Sequence, residues 1–148
     1  MMESRYMLKR CVVLMALLAG SAMAADDLRQ LARMPPAAEA NLREEMRANL
    51  LALNEIISLT VAGKVKEAGE LAEKELGLTA MGKNRALPLE ARPGANMPPA
   101  MHMLGIDGHK AASAFAAIAA TGDREKTLAA LPTLSGSCVG CHYSYRIR

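Results

Sequence analysis

Aromatic residues are scarce: no tryptophan, one phenylalanine (Phe115) and three tyrosines in 148 residues. A chain of single-domain length normally leans on such groups for apolar bulk, so an all-protein core here rests on leucine, methionine and alanine. Cysteine is limited to Cys11, Cys138 and Cys141, too few for a disulfide framework. Alternation of period two is missing, as is any internal repeat, which excludes a sheet-built or solenoid fold. No apolar run reaches the length of a bilayer span. The phosphate-binding glycine patterns and the strained serine turn of hydrolases are also lacking. Glu67, Glu70, Glu73 and Glu75 have no Glu-x-x-His partners for a di-iron site and read as a solvated helix face. Nothing here predicts an enzyme.

Charge bias of one sign is missing too once the N-terminus is set aside. Arg5, Lys9 and Arg10 precede an uncharged stretch from Cys11 to Leu18, and Ser21-Ala22-Met23-Ala24 supplies small residues. Positive start, short apolar middle and an A-x-A site form a secretory signal peptide over residues 1–24, cleaved after Ala24. Cys11 leaves with it. Residues 25–148 keep 15 basic and 14 acidic groups, a balance that argues against a nucleic-acid partner, and no membrane attachment is expected after cleavage.

What remains reads as all-α. Pro35-Pro36 marks a boundary, and residues 37–62 form a first helix with Leu42, Met46, Leu50, Leu53, Ile57 and Val61 as its core stripe. Gly63 ends it, and a second helix over 64–76 follows as an antiparallel neighbour, stopped by Gly77. Residues 77–98, punctuated by glycine and proline, make a long connection of the kind that crosses over or caps something. A third helix over 99–120 presents Leu104, Ala111 or Ala112, Phe115, Ile118 and Ala119. Its Gly105 and Gly108 allow close approach by a helix or a flat cofactor. Asp123 caps a fourth helix over 124–147, which Pro132 is expected to kink or interrupt near Leu128.

The chemistry sits at the end of that helix, in Cys138-Val139-Gly140-Cys141-His142. Two cysteines three apart with histidine directly after the second is the spacing for covalent attachment of c-type haem. Each thiol forms a thioether with a haem vinyl group, and the His142 imidazole becomes the proximal iron ligand. On a helix, 138, 141, 142 and 145 share one face. One covalent haem c would also supply the flat apolar mass that the composition lacks. A redox disulfide and half of a zinc site are the rival readings. The first normally sits beside a βαβ unit, and the second needs ligands that His102 and His109 cannot complete.

Helix pattern and motif together resemble the cytochrome c-prime family, the class II c-type cytochromes. Cys138 to Arg146 fits that family's CxxCHxxYR ending at every fixed position. The resemblance implies an antiparallel four-helix bundle around covalently bound haem, a bacterial periplasmic location, redox partner proteins there, and often a homodimer. It places Tyr145 and Arg146 at the haem edge. Arg146 is also one turn past His142, near enough to approach the imidazole or a haem propionate, or to remain a solvated arginine that favours the helix dipole.

Function then turns on the sixth coordination position. Low-spin members of that family take a methionine from the N-terminal helix, which makes Met46 the candidate distal ligand. As a methionine on an apolar stripe it also reads as core filler. Met81, Met97, Met101, Met103, His102 and His109 are weaker donors. With Met46 bound, the expectation is a periplasmic mono-haem cytochrome carrying single electrons. With an open distal face, the alternative is a five-coordinate haem protein that binds or scavenges a small gas such as nitric oxide.

Overall fold

The computed structural model describes residues 26–148; the signal-peptide reading of 1–24, Cys11 included, lies outside them. The described chain is all-α. Long helices α1 (Pro36–Val61) and α2 (Val65–Leu76) are joined at Gly63, whose positive φ of 79° needs glycine. After a connection containing the one-turn helix α3 (Pro93–Asn96) come α4 (Pro99–Ala120) and α5 (Arg124–Ser144). Two-residue strands β1 (Gln30–Leu31) and β2 (Tyr145–Arg146) pair in parallel, Gln30 against Tyr145 and Leu31 against Arg146.

Local chemistry explains most boundaries. Pro36 and Pro99 occupy first-turn positions, where a missing N–H costs nothing. The Asp123 side chain accepts the Lys126 N–H (3.0 Å), a cap worth about 1 kcal/mol. α5 runs through Pro132, so of the expected kink or interruption the interruption does not occur; the proline is exposed. The helix stops at Ser144, not at 147, because Tyr145 and Arg146 turn extended to pair with the N-terminal lead-in.

α2 packs on α1 and α4, and α4 packs on α5. Their main core gathers Ile56, Ala68, Ala72, Ala112, Phe115, Ala119 and Leu134, with Phe115 its largest member. α2 and α4 approach closely at Gly69, where an added Cβ would lie 2.7 Å from Ala119 Cβ. Gly108 faces Ser137 of α5 with a 3.4 Å clearance, whereas Gly105 has open space beside it.

The buried face of α1 is Ala38, Leu42, Ala52, Ile56 and Thr60, which corrects the expected stripe in its second half. Leu50, Ile57 and Val61 are exposed, Leu50 by 69%. Leu50, Leu51, Leu53, Ile56, Ile57, Leu59 and Val61 surround the helix, so periodicity alone could not choose a side. Glu73 is a second correction. Its carboxylate accepts from Ser113 Oγ and from the Thr79 N–H (3.0 Å), tying the end of α2 to α4 as well as meeting water. Those two contacts, Ser113's first, hold its pKa below the ordinary carboxylate value.

The connection lies across the first half of α1. Asn41 Nδ2 donates to the Ala91 carbonyl (2.8 Å), and Glu45 takes Asn84 Nδ2 (3.1 Å) and Lys83 Nζ (3.4 Å). This bracing delivers Met97 and the start of α4 to a second, smaller core at the opposite end of α1 from Gly63. Among the described residues no helix is long and apolar enough to cross a membrane.

Candidate haem-attachment site

The second core has three buried members, Ala32, Leu42 and Met101, ringed by Met34, Met46, Met97, Cys141, Tyr145 and Ile147. Six segments meet here: the lead-in, α1, the connection, α4, the last turn of α5 and β2. Met46 of α1 and Cys141 of α5, nearly a hundred residues apart, belong to one apolar cluster, with Tyr145 beside them. Met97 and Met101 join them, while Met81 and Met103 are exposed elsewhere.

Not every attachment residue points inward. Cys141 is half-buried, Cys138 and His142 are exposed on α5, and Tyr145 has left the helix, which corrects the single helical face expected for all four. Burial pushes the Cys141 thiol above its ordinary value, with proximity to Cys138 adding to it. Among the described residues no three His, Cys, Asp or Glu side chains gather as a metal-holding set. His109 is engaged elsewhere: its Nδ1 lies 2.8 Å from the Leu76 carbonyl and 3.0 Å from that of Gly77, so the ring N–H donates there and caps the end of α2. His102 is exposed.

Arg146 is carried on β2 and not on a last helical turn. Its Nε is buried without a hydrogen-bond partner, the Asp27 carboxylate oxygen standing 3.5 Å away. A buried guanidinium N–H left unpaired costs free energy and calls for an acceptor. A propionate would be one. No Cβ clash would arise at Gly136 or Gly140, so open space flanks the attachment turn. The two thiols, an apolar methionine-lined wall and the unpaired Arg146 Nε–H are compatible with a haem.

The lead-in straps the site shut at its base. Ala32 N–H donates to the Arg146 carbonyl (2.8 Å), and Arg29 Nη1 to the His142 carbonyl (3.4 Å), one of the carbonyls a helix end leaves open. Asp27 accepts from Arg29 Nη2 at 2.7 Å. That hydrogen bond, helped by the Arg29 N–H and the charges of Arg29 and Arg146 against a small desolvation penalty, holds Asp27 down to about 2. A carboxyl depressed in the folded state stabilises above its unfolded pKa and loses that contribution as pH falls through the folded one. Protection of the Ala32 amide from hydrogen exchange should therefore be flat down to about pH 4 and fall between about 4 and 2. Asp27→Asn should remove the transition. An unchanged profile in that variant would mean the strap is held by its backbone pairing alone.

Among known proteins, no family model matches the chain, and no curated protein and no solved structure is similar to it at a significant level.

Proposed function

We propose that this chain is an exported, periplasmic mono-haem c-type cytochrome, similar to the cytochrome c-prime family, that carries single electrons between redox partner proteins and is not itself an enzyme. The observation that supports the reading is that Met46, Cys141 and Tyr145 all pack against one small apolar cluster, at a motif with haem spacing. In this proposal the four long helices form an antiparallel bundle whose open end is completed by the cofactor.

Cys138 and Cys141 would hold the haem by thioethers, with His142 and Met46 as the residues to ligate its iron. When bound, the haem supplies one-electron iron chemistry, and a His/Met ligand pair keeps the same geometry in both oxidation states. The chain's own contribution is orientation and exclusion of water. Leu42 and Met101 wall the distal side, and Tyr145 with Ile147 closes the edge. Arg146 Nε, without a hydrogen-bond partner in the protein, would be available to a propionate oxygen. The exposed stripe of Leu50, Ile57 and Val61 on α1 supports a homodimer, since an aligned apolar row open to water is a typical docking face.

The test is a visible spectrum of the reduced, purified protein with and without carbon monoxide. A low-spin c-type spectrum that carbon monoxide barely alters is the expected result. A high-spin spectrum with fast carbon monoxide binding would replace electron transfer with gas binding.

A further inference from the structure

Two of the methionines in the second core sit on long helices: Met46 on α1 and Met101 in the first turn of α4. Met34 and Met97 belong to irregular segments, each followed directly by a proline. Met101 is the most buried of the four, 6% exposed against partial burial for the others. A thioether on a packed helix is held more closely than one on a loop. Met46 and the half-buried Cys141 both pack against the buried cluster of which Met101 is a member.

We infer that Met101 is a second axial thioether, so that the distal position is served by two interchangeable sulfurs, Met46 from α1 and Met101 from α4. The inference rests on the haem reading above. Methionine is unbranched, with three rotatable bonds and a soft neutral sulfur, and small rotamer changes carry that sulfur a long way. The side chain not bound packs as apolar filler on the distal face, so exchange adds no buried charge and leaves no polar group unsatisfied. The arrangement makes the low-spin state tolerant of losing either donor. One methionine with a passive neighbour lacks that tolerance.

The consequence is non-additivity. Leucine preserves volume, so Met46→Leu and Met101→Leu should fold alike. Each single variant should keep a low-spin spectrum in the haem-loaded protein. Met46→Leu/Met101→Leu should become high-spin and bind carbon monoxide at least about tenfold faster than either, as expected when two groups share one role. In the unmutated ferrous protein, methyl-labelled methionine should show strong upfield shifts at residues 46 and 101 but not at the exposed Met103. A Met46→Leu protein already as open as the double variant, or an ordinary methyl position for Met101, overturns the inference while leaving the covalent haem intact. A Met101→Leu protein that turns high-spin on its own also overturns it, since Met46 would then not serve. Colourless unmutated protein removes the haem reading and the inference together.

Discussion

Cys138→Ser/Cys141→Ser, exported from cells that mature c-type cytochromes, should retain no haem after extraction with acidified organic solvent, where the unmutated protein should retain one per chain. A thioether survives denaturation, whereas a porphyrin held by coordination and contact alone is washed out once the fold opens. Each single variant keeps one link and should retain haem through the extraction, at reduced yield. Losing both should also loosen one end of the molecule selectively. The site cluster has only three buried residues, Ala32, Leu42 and Met101, while the Phe115 core has seven. Stability is spread unevenly in a structure of that kind, and the end with fewer buried contacts opens first. Amides of the last turn of α5 and the first turn of α4 should exchange faster in the double variant, while those around Ala68 and Ala112 stay protected. Uniform loss of protection would mean that the haem end is no separate unit, and haem surviving extraction would sink the attachment reading.

The CxxCH spacing stands out in the sequence, and the haem proposal rests on it: two thiols and an imidazole would have to reach one ring, and only a few residue offsets permit that. Helix boundaries at Pro36, Gly63, Pro99 and Asp123 are legible for a similar reason, being set by groups within a turn of each end. Tertiary choices leave a weaker trace. Along α1, apolar residues on every side of the second half give the hydrophobic period no preferred phase, and the buried set turned out to be Ala52, Ile56 and Thr60 instead of Leu50, Ile57 and Val61. Glu73 looks like any solvated glutamate until Ser113, forty residues on, is placed opposite. The strap is harder still. Two-residue strands have no period to detect, and the pairing of Leu31 with Arg146 becomes visible only when the two chain ends meet. Convergence of Met34, Met46 and Met97 on the cluster that buries Met101 belongs to the same class. Methionine is common in this chain, and no local rule marks which ones assemble.

Phe115→Ala should be the most damaging single change outside the haem site. Phe115 is 1% exposed and supplies the one aromatic ring of the main core. Truncating a buried phenylalanine costs about 3–5 kcal/mol, the lost transfer free energy plus the cavity left behind. The neighbours decide where in that range it falls. Ala68, Ala72, Ala112 and Ala119 have no side-chain rotamers with which to fill the gap. The helices that carry them are already in close contact at Gly69, so a collapse of α2 onto α4 is blocked. The upper end is therefore expected, a large share of the roughly 5–15 kcal/mol that holds a domain together. In thermal unfolding this should lower the midpoint by roughly 10–20 °C. Phe115→Leu should recover most of it by refilling the volume. The visible spectrum of the haem-loaded Phe115→Ala protein should not change below its lowered midpoint, because Phe115 touches none of the residues around Cys141. A shifted spin state in that variant would show the two cores to be coupled, and the cofactor would then have to reach further between α4 and α5 than the methionine-lined end.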